Sequence, residues 1–511
     1  MPHTPPVIIT NARRVDAGTK FVGTDDLANN PWTRMVKSLF GIEYKTVFTW
    51  VTADEGNQKY NLAMASGELP DYLEELPNAI FLQAVQAGML EDITDAFDLY
   101  AGPRWKKATE DFSEMAWALP MVDGRKYGYC RALSMSAQDS ITWYREDWLE
   151  KVGLDVPKTL DDCYDVAKAF IEADLGQGDT GTTIGISANE SYKARNGAWS
   201  GTLDVVFGAW RIAPEHWTPE GEALMYNATR SIVKEPLAVL RKWYADGILR
   251  KDLYTLQISD SQQDYSSNQC GLHFSPTYNL LRDSVQNDPT ARWGWTDIPT
   301  GPTGQKGKNG KSPYRDAPFC YRKGATTIEQ NFQVINWMSD LIEEPERRMH
   351  GWEGHDYEWD GDEFRVGQVS WSKWTIGPVG AAGGSRLDPR YQGIDLAYKM
   401  NEWGKVPPEQ RDAQQELFFA DPTGVETLNR EAQLYVIKHN AEDALQDSFQ
   451  TLPTPTMISH WTDLKKLEDE TYISIITGQK PMEAFDAFVE QWKKMGGDQV
   501  TAEVNEWWKN K

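Results

Sequence analysis

The spacing of apolar and polar positions over the first 75 residues alternates between strand-like and helix-like. Asn30 and Pro31 suit the N-cap and first position of a helix, and Gly67 suits a helix end. This order predicts an α/β fold in which a sheet carries helices on both faces. The predicted strands cover residues 6–10, 44–51 and 70–73, and the predicted helices cover residues 31–40 and 58–66.

The rest of the chain predicts further helices separated by long loops. Thr159 is followed three residues later by an acid, which is a capping pattern. Two loops rich in Gly, Thr or Pro cover residues 174–185 and 300–315. Helix patterns cover residues 148–152 and 161–173, and resume after residue 481 with an interruption at Gly496 and Gly497.

Charge and composition narrow the class of protein. The 511 residues hold 52 Lys+Arg and 76 Asp+Glu, a net charge of −24, which disfavours nucleic acid or an anionic membrane as the main partner. No apolar run reaches the length of a membrane span. The 22 tryptophans are unusually many for a soluble acidic protein and suggest stacking on sugar rings.

Cysteine usage and the N-terminus leave the compartment open. No two of the four cysteines form a CxxC pair, so we expect buried thiols and no zinc site. The first ten residues form a strand pattern, not the apolar core of a signal peptide. The protein is therefore either cytoplasmic, or Met1 follows a leader that has been removed. The cysteines are Cys130, Cys163, Cys270 and Cys320.

Catalytic motifs are sparse. HExxH, GxSxG and the P-loop are absent, and the glycines of one GxGxxG, at 176, 178 and 181, lack the strand–helix context of a nucleotide site. An acidic stretch beside aromatic residues could supply the two carboxylates of a glycosidase, although a solvated loop is the simpler interpretation. Its acids are Glu353, Asp356, Glu358, Asp360, Asp362 and Glu363.

A calcium site is the metal hypothesis that the sequence offers. Residues 174–185 form an oxygen-rich loop, and calcium needs several oxygen ligands. Only Asp174 and Asp179 are acidic there, so the loop is a degenerate site and we expect no bound metal.

The tryptophans divide by context. Those in helix patterns, such as Trp243, Trp337 and Trp492, are expected to pack in the core or on the surface of the protein. Those in loops are sugar-binding candidates, because binding residues concentrate in loops on a rigid scaffold, although core packing is the simpler interpretation of any single one. Closely spaced loop candidates are Trp293 with Trp295, Trp352 with Trp359, and Trp371 with Trp374.

Several segments, in order along the whole chain, resemble the family 1 extracellular solute-binding proteins of ABC sugar importers. The resemblance is to the large LplA-type lipoproteins, relatives of the alginate-oligosaccharide-binding proteins. The segments are NPWTRMVKSLFGIEYK, QKYNLAMASGELPD, DGRKYGY, TWYREDWLEKVGLDVPKTLDD, YRKGATTIEQNFQVINWM, EGHDYEWDGD, LPTPTM and DLKKLEDETYISIITGQKPMEAFDAFVEQWKKMGGDQVTAEVNEWW.

The resemblance implies an α/β, two-lobed periplasmic-binding-protein-like fold with a ligand cleft between lobes. Lobe 1 is expected to hold residues 1–140 and about 318–385, and lobe 2 residues 141–317 and about 386–511. The crossings fall near 135–145, 315–320 and 375–390, and rotation about them would close the lobes on a ligand. It also implies no catalysis, delivery of the ligand to permease subunits, and a monomer held outside the membrane by a lipid.

The same resemblance predicts the ligand-binding residues. In lobe 1 these come from the loop after the first strand, from the strand end near 74 and from the first crossing. In lobe 2 and near the last crossing they are mostly aromatic. The predicted residues are Asp25, Asn29, Asn30, Trp32, Glu74, Glu75, Arg131, Gln138, Trp199, Trp210, Tyr278, Trp352, Asp356, Tyr357, Trp371 and Trp374.

The ligand class stays open at this point. Many tryptophans favour an oligosaccharide, and the negative charge favours a neutral one, although Arg131, Arg195 and Arg211 could form a pocket for an acidic sugar. No cofactor is expected, and family members carry a DPDGNG calcium loop whose acids are mostly missing here. A glycoside hydrolase and a surface glycan adhesin are the alternatives.

Overall fold

The structure is a computed structural model. It describes residues 1–15, 21, 23–131, 140–176, 183–190, 192–193, 200–276, 281–310, 314, 317–340, 357–360, 363–366, 403, 405–411, 415 and 424–511. Within these, the strands are β1 (Val7–Arg14), β2 (Ile42–Trp50), β3 (Tyr72–Leu73), β4 (Met121–Val122), β5 (Arg125–Lys126), β6 (Gly128–Tyr129), β7 (Ser140–Arg145), β8 (Trp217–Glu220), β9 (Ala223–Tyr226), β10 (Leu272–Pro276), β11 (Trp293–Thr296), β12 (Lys308–Asn309), β13 (Phe319–Tyr321), β14 (Tyr357–Asp360), β15 (Glu363–Val366) and β16 (Ala444–Leu445).

The α-helices of the same residues include long ones at the C-terminus and short ones between the strands. They are α1 (Pro31–Phe40), α2 (Ala53–Ser66), α3 (Asn78–Gln86), α4 (Thr94–Tyr100), α5 (Pro103–Asp111), α6 (Ser113–Trp117), α7 (Glu146–Val152), α8 (Leu160–Glu172), α9 (Asp204–Gly208), α10 (Lys234–Ala245), α11 (Ile258–Ser266), α12 (Leu281–Asn287), α13 (Ile328–Asp340), α14 (Val425–Asp443), α15 (Pro455–Ile476), α16 (Ala484–Trp492) and α17 (Asp498–Lys509). No helix among the described residues is both long and apolar enough to cross a membrane.

The chain divides into two compact units. Unit 1 comprises Met1–Ser134, Pro313–Pro422 and Gln450–Pro453, and unit 2 comprises Met135–Ser312, Thr423–Phe449 and Thr454–Lys511. The sequence-based division placed the described residues between 403 and 415 in lobe 2, whereas they belong to unit 1. The predicted last crossing, near 375–390, lies outside the described residues.

Unit 1 is built on a five-stranded mixed sheet in the order β2-β1-β3-β13-β6. Strand β1 pairs in parallel with both β2 and β3, and β13 is antiparallel to both of its neighbours. Successive residues of a strand face opposite sides of a sheet. Tyr72 therefore joins an apolar cluster on one face with Trp105 and Phe332, and Leu73 joins a cluster on the other with Tyr60. The predicted α/β class is confirmed.

Local signals in unit 1 act as the sequence predicts. Asn30 is the N-cap of α1, with Pro31 at its first position, and its side chain closes a capping box with Thr33. Helix α2 ends at Gly67, whose φ of 72° is the left-handed conformation that glycine adopts without strain.

Unit 2 contains the antiparallel sheet β10-β7-β11, in which every residue of β7 is buried. Its large apolar core holds aromatic side chains from α7, α8, α10 and the C-terminal helices, Trp243 and Trp492 among them, as predicted. Trp293 is a correction: it lies buried in β11 and is not an exposed sugar platform. All four cysteines, which lie in the described part of the chain, are buried and outside any disulfide.

Candidate functional site

The ends of two parallel strands in unit 1 bring charged residues together. The Glu74 amide donates to the Ala12 carbonyl at 3.2 Å, which continues the pairing of β3 with β1 beyond Leu73. Arg13 follows Ala12 in β1, so a buried arginine lies beside a buried glutamate at this edge. Ligands of open α/β sheets bind outside the carboxyl ends of the strands, and this is such a position.

Glu74 is 3% exposed and is held on several sides. Asn11 donates its side-chain amide to the Glu74 Oε1 at 3.4 Å, and the Tyr60 hydroxyl donates to the Glu74 carbonyl at 2.5 Å. Burial raises the pKa of the Glu74 carboxyl to about 7, while the neighbouring Arg13 charge acts in the opposite direction. Glu74 is therefore a carboxyl that changes charge near neutral pH.

Glu75 and Arg131, both predicted as ligand residues, form an ion pair at this edge. The Arg131 side chain is 7% exposed and the Glu75 side chain 20%, so the carboxylate is the outer member of the pair. The Arg131 guanidinium also lies over the Phe319 ring, 5.0 Å from its centre, which fixes its plane further. The pair presents hydrogen-bond acceptors and donors side by side, as sugar hydroxyls require.

The loop after β1 carries two more predicted residues. The Arg34 guanidinium donates to the Asp25 carboxylate at 2.8 Å and to the side-chain Oδ1 of Asn29 at 3.2 Å. Asp26, at the turn of this loop, accepts from the Ala28 amide at 2.8 Å. Asp25 and Asn29 therefore meet at one arginine on the protein surface, which the sequence did not indicate.

Asn30 and Trp32 have structural roles. The Asn30 side-chain oxygen accepts from the amides of Trp32 and Thr33 at 3.0 and 3.1 Å, and its amide donates to backbone carbonyls of the preceding loop. Trp32 is 6% exposed and meets the ring of Trp337 edge-on at 6.3 Å. Capping and packing account for both residues in this conformation.

The other predicted residues are not gathered in the described part of the chain. Trp210 is half-buried against the core of unit 2. Tyr357 begins β14, and its side chain is not described. The rest lie outside the described residues, namely Gln138, Trp199, Tyr278, Trp352, Asp356, Trp371 and Trp374.

The arginines considered for an acidic pocket do not form one among the described residues. Arg131 is paired with Glu75 in unit 1. Arg211 belongs to unit 2 and donates to the carbonyls of Lys306 and Glu442, each at 3.0 Å. Arg195 lies outside the described residues.

The degenerate calcium loop is described only at its ends. Thr183 donates its hydroxyl to the Asp174 carboxylate at 3.1 Å and accepts from the Gly176 amide at 2.8 Å. Asp179 lies outside the described residues. Within the part of the chain that the structure covers, no three His, Cys, Asp or Glu side chains are grouped to hold a metal ion.

Sequence reasoning missed Arg13 and Asn11. Both are buried polar residues of β1, two positions apart and therefore on one face of the strand. The available signal was that both residues share the strand face that begins with Val7 and Ile9. Asn11 also accepts from the Thr46 hydroxyl at 2.9 Å, and Thr46 lines a groove of about 590 Å³ along β2.

Comparison with known proteins places the chain among binding proteins. It is 24% identical over 470 residues to the polygalacturonan/rhamnogalacturonan-binding protein YtcQ of Bacillus subtilis, covering 90% of this chain and 84% of the relative. It is 22% identical over 487 residues to lipoprotein LipO of the same organism, covering 93% and 88%.

The fold of the chain is also found in solved structures. The S. pneumoniae ABC-transporter substrate-binding protein FusA, an EF-hand mutant in complex with fructo-nystose, superposes with a TM-score of 0.68 at 15% identity over 98% of this chain and 99% of that one. The family described as bacterial extracellular solute-binding protein matches residues 41–337, more than half of the sequence. This chain therefore belongs to the bacterial extracellular solute-binding protein family.

Proposed function

We propose that this protein binds an oligosaccharide outside the cell and delivers it to the permease of an ABC transporter. As a solute-binding protein it is not an enzyme, so the glycoside hydrolase alternative is set aside. The observation that carries the proposal is the Glu75–Arg131 pair, backed by Glu74, at the carboxyl ends of parallel strands. This group can hydrogen-bond several sugar hydroxyls.

The names of the relatives support a carbohydrate ligand without choosing its charge. YtcQ is named for binding polygalacturonan and rhamnogalacturonan, and the FusA structure holds a fructooligosaccharide. We propose a neutral oligosaccharide for this chain, because Arg131, which could otherwise bind a sugar carboxylate, already forms an ion pair with Glu75. A uronate-containing oligosaccharide is the alternative.

The remaining parts of the proposal concern partners and place. Permease subunits recognise the loaded protein, which acts as a monomer. A lipid anchor on the outer face of the cytoplasmic membrane is supported by the lipoprotein name of LipO. The aromatic residues Trp199, Trp210, Tyr278, Trp371 and Trp374 are proposed to stack on sugar rings, with Gln138, Trp352, Asp356 and Tyr357 beside them, and no cofactor is needed.

The test is a thermal-shift screen of neutral and uronate-containing oligosaccharides, with calorimetry on each hit. Ligand at about 100 times its Kd stabilises a protein by about 2.7 kcal/mol, which raises Tm measurably. The bound sugar should be recovered intact. Arg131→Ala should weaken binding at least tenfold, whereas Arg125→Ala, which removes an exposed arginine paired with Asp92, should not. No Tm shift with any sugar, or hydrolysis of the sugar, would contradict the proposal.

A further inference from the structure

We propose that Glu75 determines the charge specificity of this site, because its carboxylate occupies the Arg131 guanidinium and leaves the site selective for uncharged sugar units. The inference deepens the proposed function and rests on it. It makes a single residue responsible for the exclusion of a sugar carboxylate.

The geometry of Arg131 is the first step. A guanidinium offers a planar fork of donors that matches a carboxylate, so a free arginine at a sugar site favours a uronate. Here one terminal nitrogen of the guanidinium already donates to the Glu75 carboxylate, and the guanidinium lies over the Phe319 ring. A uronate would have to displace Glu75 from a guanidinium that is 7% exposed.

The charges around the pair are the second step. Two arginines, Arg13 and Arg131, face two glutamates, Glu74 and Glu75, so the group carries no net charge at a pH above the pKa of Glu74, such as pH 8, where the comparison of sugars is made. An added sugar carboxylate would bring a third negative charge against Glu75, the outer member of the pair. Like charges a few ångströms apart disfavour each other, most strongly where water is excluded. Hydroxyl groups add no charge, and they can donate to Glu75 and accept from Arg131 at once.

The backbone at Glu75 is the third step. Its φ of 47° lies in the left-handed region, where the backbone of any residue other than glycine is strained. Backbone hydrogen bonds on both sides of Glu75 hold this conformation. The Glu74 amide donates to the Ala12 carbonyl, and the Leu76 amide donates to the Pro318 carbonyl at 2.8 Å. Glutamate therefore stands where glycine would be easier, which fits a role for its side chain.

Two substitutions remove the carboxylate in different ways. Glu75→Gln keeps the shape of the side chain. Glu75→Gly removes the side chain from a position whose backbone conformation suits glycine, so we expect this variant to fold. Glu75→Asp keeps the charge. Glu150→Gln is the matched control, since Glu150 pairs with Arg292 on the exposed surface of unit 2.

The probes are nystose, a neutral oligosaccharide, and trigalacturonate, measured by calorimetry at low and high NaCl. We expect trigalacturonate to bind Glu75→Gln and Glu75→Gly at least tenfold more tightly than it binds the wild type, with an affinity that falls as NaCl rises. Glu75→Asp and Glu150→Gln should behave as the wild type does.

The outcomes separate this inference from the proposed function. If the wild type binds a sugar but neither uncharged variant gains affinity for trigalacturonate, the role of Glu75 is wrong and oligosaccharide binding stands. Tight binding of trigalacturonate by the wild type overturns the role of Glu75 in the same way. If no sugar in the panel binds the wild type, the proposed function fails first, and the inference falls with it.

Discussion

Lys193 and Glu468 stand 275 positions apart in the sequence and form an ion pair in the interior of unit 2. Their side chains are 3% and 0% exposed. The Glu468 carboxylate also accepts from Lys465 at 3.2 Å and from the Tyr226 hydroxyl at 2.9 Å. The network therefore ties helix α15 to Lys193 and, through Tyr226, to the β8–β9 hairpin.

The first prediction concerns this network. Glu468→Gln should lower the free energy of unfolding by about 1–3 kcal/mol, because it removes a buried charged acceptor. Lys193 keeps its ion pair with Asp469, and Lys465 keeps its ion pair with Glu215. Urea denaturation of the two proteins at neutral pH measures the difference. Glu470→Gln is the control: Glu470 lies one helical turn from Lys466 on the exposed side of α15, and its loss should cost no more than about 0.5 kcal/mol. Equal effects of the two substitutions would show that the buried Lys193–Glu468 pair contributes no more to the free energy of unfolding than an exposed pair does.

The second prediction is a dependence of stability on pH that comes from Glu74. Burial raises its pKa to about 7 in the folded protein, and an unfolded chain titrates near the ordinary value. Between those pH values the folded state holds a proton that the unfolded state has lost, so the free energy of unfolding falls as pH rises. The charged groups facing Glu74 are Arg13, Arg131 and Glu75.

Glu74→Gln removes the titrating carboxyl and therefore removes its contribution to the pH dependence of the free energy of unfolding. Relative to the wild type, the variant should gain on the order of 1–3 kcal/mol of stability between pH 4.5 and pH 8. Urea midpoints measured across that range provide the comparison. Glu68→Gln, at an exposed position near the end of α2, should follow the wild type throughout. A wild-type profile that runs parallel to that of Glu74→Gln would mean that Glu74 titrates normally.

The elements of the N-terminal region could be predicted because their signals are local. The alternation of β2, the cap at Asn30 and the glycine after α2 each lie within a few residues of the feature they specify. Strand pairing has no such local signal. The placement of β1 between β2 and β3, and hence the contact of Asn11 with Glu74 across 63 positions, depends on how the helices pack on the sheet.

The candidate site was predictable to the same degree. Glu74, Glu75 and Arg131 could be named from the resemblance, but the pairing of Glu75 with Arg131 joins residues 56 positions apart and required the structure. The sequence context of Trp293 suggested a loop, whereas its short alternating segment is a buried strand. Composition cannot distinguish stacking on sugar from packing in a core, because both need a large apolar ring.

The third prediction separates two roles of Asn30, as the N-cap of helix α1 and as a predicted ligand-binding residue. Asn30→Ala removes the capping hydrogen bonds to the amides of Trp32 and Thr33 and should cost about 1 kcal/mol of stability. The Kd for the sugar found in the screen should stay within about twofold of the wild-type value, which corresponds to a change of less than about 0.5 kcal/mol in the free energy of binding. Asn29→Ala, in the exposed loop before it, is the control for stability. A tenfold loss of affinity with unchanged stability would return Asn30 to the ligand site.

The fourth prediction concerns calcium at the loop that begins with Asp174. Calcium takes six to eight oxygen ligands, whereas the Asp174 carboxylate accepts from the Thr183 hydroxyl at 3.1 Å and the loop holds one further acid, Asp179. We therefore expect Tm in calcium chloride and in EDTA to agree within about 1 °C, because an ion that does not bind the folded state does not stabilise it. Magnesium chloride at the same ionic strength controls for screening. A saturable rise in Tm with calcium that Asp174→Asn abolishes would establish a site in spite of the missing acids.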